Sequence, residues 1–320
     1  MDTINKYSDI IEQAVKSLQL PAGRLPGLYE PIAYGLDTGG KRLRPVLALI
    51  ACQASCGTPD PAIPAALAVE MFHNFTLLHD DVMDNSDTRR GKPSVQKKWD
   101  VNTAILSGDT LATLATQVLC RLPDPCLRKA LECFNKSAIE VYEGQQLDME
   151  FEKRSDVSLS EYLEMIRLKT SVLLGCAAKL GALAGAATDM EADLWYAYGE
   201  ALGLAFQIQD DWLDVYGDPA TFGKPIGGDI LNDKKTFLML SALAGPNAEM
   251  MKQAMAMPAS EEKIKTVRRI YDDIGIPQAC HNAIEKYTDQ AVKALDNLNI
   301  APGLYELLVS LARNLANRTK

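Results

Sequence analysis

Apolar residues recur at helical spacing along nearly the whole chain, and this restricts the fold more than any other feature. Ile4, Tyr7, Ile11, Val15 and Leu18 mark one face of a first helix. A second carries Pro45 in its first turn, after a Gly-Gly-basic loop, and runs to about Ala54. Further helices are predicted from Ala65 to about Met83, Asn102 to Leu122, Pro125 to about Phe151 and Leu159 to about Gly185. The remainder run from Glu191 to about Tyr216, Lys234 to Ala244, Ser260 to Ile274, Ile276 to Leu298 and Pro302 to Asn317. The start at Leu159 is read as capped, with Ser160 and Glu161 following. Strand-type alternation is almost absent. No Pro/Ser-rich linker or composition shift divides the chain. Residues 1–320 are therefore expected to form a single all-α domain, a bundle of about ten or more helices around a common core.

Composition narrows the function. Hydrophobic residues are 47% and charged residues 23%, as in an ordinary globular chain, which excludes collagen, low-complexity disorder and disulfide mini-proteins. The net charge of −9 disfavours general binding to nucleic acid or anionic membrane. An anion would have to be held locally, by clustered bases or by metal. The seven cysteines include no Cys-x-x-Cys and no zinc-type spacing with the three histidines. They are expected to be buried, reduced thiols of a cytoplasmic protein. The N-terminus lacks a signal-peptide pattern. The most apolar run, Ser171 to Ala187, is interrupted by Lys179 and too short to span a bilayer, so no stable membrane insertion is expected.

Two aspartate clusters carry the chemistry. Asp80, Asp81 and Asp84 end an apolar helix and fall within about 100° of arc, so their carboxylates share a face and repel one another. Divalent cations with oxygen ligands relieve that repulsion, and Mg²⁺ commonly bridges one or two carboxylates to substrate phosphates. Asp210, Asp211 and Asp214 repeat the pattern 130 residues later, and each cluster is followed by a Gly-Lys-Pro. If the two helices face each other, both clusters meet at one cavity. Basic residues interleave with them: Gly39-Gly40-Lys41-Arg42-Leu43-Arg44, Arg89-Arg90, Lys169-Thr170, Lys224 and Lys234-Lys235. Metals could hold one diphosphate while Arg and Lys hold a second without metal.

The segments GGKRLRP, LLHDDVMDNSDTRRGKPS, EGQQLD, RLKT, FQIQDDWLDVYGD and FGKPIGGDILNDKKT, in this order, resemble the trans-type (E) isoprenyl diphosphate synthases of the polyprenyl synthetase family. The resemblance spans residues 39 to 236. It implies a homodimeric helical bundle around a central cavity, of isoprenoid synthase type. It also implies Mg²⁺-dependent head-to-tail condensation of isopentenyl diphosphate with dimethylallyl, geranyl or farnesyl diphosphate. By the same resemblance Asp80 and Asp84, with Asp81 beside them, match ligands of two Mg²⁺ ions. Asp210, supported by Asp211 and Asp214, matches the ligand of another, and Asp148 a further acidic position, for about three ions per site, with Mn²⁺ as a substitute. Arg89, Lys169, Gln207, Lys224 and Lys234 match contacts to the allylic diphosphate. Gly40, Lys41, Arg44, His73 and Arg90 match the isopentenyl diphosphate site. Thr170 and Gln207 could stabilise an allylic cation by their dipoles, and the released diphosphate is the expected base.

Other readings compete. Glu70-Met-Phe-His73 has di-iron spacing, but the chain has no second Glu-x-x-His. A class I terpene cyclase also ionises a prenyl diphosphate, yet has no use for a second anion site. A non-catalytic subunit of a heteromeric prenyl synthase typically lacks an intact aspartate motif, and both are intact here. Product length is expected to be set by Phe75 and Thr76, five and four positions before Asp80, with Phe72 and Met71 a turn beyond. By resemblance an aromatic at Phe75 favours geranylgeranyl over farnesyl diphosphate. Gly227-Gly228 marks a candidate lid hinge.

Overall fold

A computed structural model describes residues 2–21, 23–218 and 226–316. Lys224 and the basic tail at 317–320 lie outside the described residues. The helices are α1 (Asp2–Lys16), α2 (Pro26–Leu36), α3 (Leu43–Cys56), α4 (Ile63–Met83), α5 (Val95–Lys98), α6 (Val101–Leu119), α7 (Asp124–Lys153) and α8 (Leu159–Ile166). A π turn, Arg167–Ser171, leads into α9 (Val172–Ala184) and α10 (Asp189–Tyr216). Then come α11 (Gly228–Leu231), α12 (Phe237–Leu243), α13 (Ala248–Met255), α14 (Glu261–Asp273), α15 (Ile276–Leu295) and α16 (Pro302–Ala316). The all-α expectation is borne out. The only strands among the described residues are Thr88–Arg89 and Lys92–Pro93, paired antiparallel. Their turn, Arg90-Gly91, has φ of 53° and 75°, the double left-handed geometry that suits a two-residue hairpin.

The described chain forms two compact units. The first comprises residues 2–135 and 176–193, the second 136–175 and 194–316. In the first, α4 packs on α3 and α6. Ala65 to Phe72 are buried without a break, so this helix is enclosed on all sides at that level, with Glu70 the one charged side chain among apolar ones. Each large side chain buried there contributes about 1.5–3 kcal/mol. Gly181 of α9 meets α3 so closely that a Cβ would lie 2.0 Å from the Ala48 carbonyl oxygen. Tyr7 ties α1 to α3 by donating to Gln53 at 2.8 Å. The second unit has its own apolar core, including Tyr162, Ile208, Leu238, Val267 and Ile284.

Several boundaries differ from expectation. The predicted helix from Leu159 to Gly185 is broken by the π turn. Its cap is Ser158, which forms a capping box with Glu161 one residue before the expected start. Lys234 and Lys235 do not begin a helix; Thr236 caps α12 by accepting from the Met239 N–H. The helices α2, α5, α11 and α13 were absent from the sequence pattern. Contrary to the expectation of seven buried thiols, Cys133 is half-buried and Cys56 and Cys120 are exposed, the last two because they stand at the terminal turns of α3 and α6. No described helix is long and apolar enough to cross a membrane.

Candidate active site

The first aspartate cluster sits on the last turn of α4, where the helix carbonyls point outward and the dipole is negative. Asp80 is half-buried and Asp84, the C-cap residue, is exposed. Asp81 is buried and turns to the hairpin, where Arg89 Nε and Nη2 donate to its Oδ1 at 3.0 and 2.6 Å. Burial raises the Asp81 carboxyl's pKa, and Arg89 opposes that rise. Asp81 therefore positions Arg89, while Asp80 and Asp84 occupy the outer face. Hard carboxylate oxygens at i and i+4 on a negative helix terminus suit a small divalent cation that takes its other ligands from phosphate and water. No group of three or more His, Cys, Asp or Glu is assembled among the described residues.

Beside this turn the GGKRLRP segment divides its cations between two tasks. Arg42 has φ of 47° and is buried. It donates to Glu12 at 2.7 Å, to the Leu36 carbonyl at 2.8 Å and to Glu70, which Asn74 also bonds at 3.0 Å. Glu70 is thus a buried counter-charge to Arg42, not one arm of a metal motif with His73. Arg44 and Arg90 stand outside that buried pairing. Arg44 Nη1 lies 3.3 Å from His73 Nε2, and Arg44 Nε is buried with no hydrogen-bond partner among the described residues. Arg90 stacks on Gly40, where a Cβ would lie 2.7 Å from its guanidinium; the φ of 140° there also suits only glycine. Burial pushes Arg44 down to about 10, and Arg90 adds to that fall while Glu70 opposes it. Burial and then the neighbouring arginines hold His73 well below its usual range, so its imidazole is neutral at pH 7. Gly40, Arg44, His73 and Arg90 thus come together as expected; Lys41 is exposed nearby in sequence.

In the second unit the π turn carries Lys169 and Thr170. A Cβ at Gly144 would lie 2.3 Å from the Lys169 backbone nitrogen, so α7 can approach the turn only through glycine. Lys169 Nζ donates to Asp148 at 2.6 Å, and Thr170 Oγ1 donates to Gln207 at 3.3 Å. The widened helix therefore brings four expected residues together in two pairs, and π turns are frequent at functional sites.

The members of the second aspartate cluster differ from one another. Asp210 is half-buried. Asp211 is buried and accepts from the Tyr162 hydroxyl and from the Phe237 N–H at 2.8 Å. Burial pushes its carboxyl up to about 7, against the lowering effect of Tyr162. Asp214 accepts the Asp229 N–H at 3.0 Å, and its carbonyl accepts the Gly227 N–H at 2.6 Å. Asp211 and Asp214 thereby anchor the segment leading to Lys234, whose Nζ is 3.9 Å from Asp229. Gly227 is buried against Ile264, so the expected hinge is tethered at its first glycine.

The four chain-length candidates occupy two sides of α4. Thr76 lies one turn below Asp80 on the same column and bonds the His73 carbonyl at 2.8 Å. Phe75 is buried and edge-on to His79 at 4.7 Å, and His79 in turn fits against Gly108 of α6. Phe72 packs on Phe75 and Phe134, each at 5.3 Å, and Met71 is buried. Sequence reasoning missed Arg42, Glu70, Tyr162, Asp229 and Lys263 as supports. Arg42 was visible as one of the clustered bases and Glu70 as an acid one turn before His73 on an apolar helix, but not as partners of each other.

Residues 26–274 match the model of the polyprenyl synthetase family. The chain is 37% identical to a geranylgeranyl diphosphate synthase of Methanosarcina mazei over 321 residues, covering 99% of this chain and 98% of that protein. It is 39% identical to a geranylgeranyl pyrophosphate synthase of Geoglobus acetivorans, again over 99% of this chain and 98% of that one. The crystal structure of geranylgeranyl pyrophosphate synthetase from Pyrococcus horikoshii Ot3 superposes with a TM-score of 0.93 at 33% identity, covering 99% of this chain and 98% of that one.

Proposed function

The chain belongs to the polyprenyl synthetase family, and from that premise we propose that it condenses isopentenyl diphosphate head-to-tail with allylic diphosphates. The observation that carries this reading is the Arg44–His73–Arg90 group. It is a cationic site with a neutral imidazole and, among the described residues, no carboxylate bonded to Arg44, separate from the carboxylates of Asp80 and Asp84. An enzyme acting on a single diphosphate would not need it. A condensing enzyme needs one diphosphate held to ionise and another held intact.

In this reading Asp80, Asp84 and Asp210 hold Mg²⁺, with Asp214 and Asp148 in support; Mg²⁺ supplies charge neutralisation of the departing diphosphate. Lys169 exchanges Asp148 for a diphosphate oxygen, and Arg89, held by Asp81, contacts the same group. Lys224 and Lys234 complete that set. The allylic carbon–oxygen bond breaks with its electron pair leaving on diphosphate. Thr170 and Gln207 direct oxygen dipoles at the resulting cation. Gly40, Lys41, Arg44, His73 and Arg90 hold isopentenyl diphosphate so that its double bond attacks. The released diphosphate takes the proton that restores the double bond. Side chains at Phe75, Phe72, Met71 and Thr76 limit the product, and the names of the relatives favour geranylgeranyl diphosphate. The unit of action is one catalytic domain over residues 1–320, working as a cytoplasmic homodimer.

Titration calorimetry tests the two-site premise. Isopentenyl diphosphate should bind in the presence of a chelator, and an unreactive allylic analogue only once Mg²⁺ is restored. Equal metal dependence for both ligands would contradict it.

A further inference from the structure

Lys263 is the one buried lysine among the described residues. A buried ammonium is retained only where a partner offsets its desolvation. Lys263 Nζ donates to Asp233 Oδ1 at 2.8 Å. Asp233 has φ of 51°, a left-handed conformation unfavourable for a residue with a Cβ. It directly precedes Lys234. The Asp233 N–H bonds the Ile230 carbonyl at 3.3 Å, and the Lys234 N–H bonds the Asp229 carbonyl at 3.0 Å. One residue along α14, the Ile264 side chain closes on Gly227, where a Cβ would lie 2.7 Å from it. Helix α14 therefore backs the segment 227–234 at both ends. Asp214 holds its middle through the Asp229 N–H.

We propose that Lys263 is a positioning residue. By holding the Asp233 carboxylate it keeps the turn left-handed, and that turn sets the direction in which Lys234 leaves the segment toward the allylic diphosphate. Lys263 itself does not touch substrate. This rests on the reading of Lys234 as a diphosphate contact. A small cavity walled by Met239, Met251 and Tyr271 borders the pair, which leaves room for the flexible thioether of a Lys263→Met variant.

The test uses the full-length enzyme, Lys263→Met and the double variant Lys263→Met/Asp233→Gly. Amide exchange at Asp233 and Lys234 should rise on the order of tenfold in the single variant. The KM for the allylic diphosphate should rise by about tenfold with the KM for isopentenyl diphosphate unchanged. Glycine adopts the left-handed turn without a partner, so the double variant should return both readouts to within about twofold of wild type. A lysine serving only to stabilise the fold would raise both KM values together, and glycine would not rescue it. Unchanged exchange, unchanged allylic KM or failure of rescue would overturn the proposal. If the wild-type chain turns over no prenyl substrate, the proposed function fails separately. Calorimetric affinity for magnesium pyrophosphate then judges Lys263, which must show the same loss and the same rescue.

Discussion

At the residue scale, the aspartates of each motif divide into those that face outward and those that hold the frame. Asp80→Asn or Asp84→Asn should lower kcat by about 10²–10³ and leave the melting temperature within a degree or two. Asp81→Asn should instead loosen Arg89, raising the allylic KM more than it lowers kcat. Asp211 is a pH probe of the same division. Its carboxyl has an ordinary value of 3.8 and is raised to about 7 in the fold, so between those values the folded chain carries a proton that the unfolded chain has lost. Stability from this group is therefore greatest on the acid side and is withdrawn as pH rises through about 7. Asp211→Asn keeps an acceptor for Tyr162 and Phe237. In metal-free buffer it should raise the melting temperature by about 2–4 °C at pH 8, by roughly a third of that at pH 5, and by little below the ordinary carboxyl value of 3.8. The six aspartates stood out in the sequence as two matching clusters because their spacing repeats. Their division did not, since it depends on Arg89, Tyr162 and the Phe237 N–H, contacts that no local pattern announces.

At the element scale, glycines decide how closely helices carry the functional groups. Gly144→Ala would drive a methyl into the backbone of the π turn, displacing Lys169 and Thr170. It should cut kcat by about 10² or more, consistent with ångström-scale misplacement of binding groups. Gly181→Ala is as tightly packed, against Ala48 of α3, but carries no site residue. It should lower the melting temperature and leave kcat of the folded fraction near wild type. Circular dichroism melts beside steady-state kinetics separate the two outcomes. The long helices were readable because their apolar stripes persist for several turns. Helix α2 was not: Pro26, Gly27, Pro31 and Gly35 interrupt its pattern, although Pro26 lies in the first turn and Gly35 lets Leu78 approach. The π turn was hidden for the opposite reason: Ser171 to Ala178 are buried without a break, so the phase shift from an extra residue leaves no mark on the apolar pattern.

At the scale of the whole molecule, the proposed condensation requires two chemically different diphosphate sites on one chain. The cations of GGKRLRP were visible in the sequence, but not that Arg42 is spent on Glu12 and Glu70 while Arg44 lies against His73. His73→Ala should therefore raise the isopentenyl diphosphate KM by about tenfold and leave the allylic KM unchanged. Product length belongs to this scale too. Phe75→Ala should lengthen the product, and an unchanged product would move the floor to Thr76, which shares the Asp80 column. The most direct measurement is incorporation of labelled isopentenyl diphosphate by the purified chain, with dimethylallyl, geranyl or farnesyl diphosphate supplied in turn, with and without Mg²⁺. The account predicts Mg²⁺-dependent incorporation from each primer, converging on geranylgeranyl diphosphate. Release of hydrocarbon without incorporation, or no turnover with any primer, would contradict it.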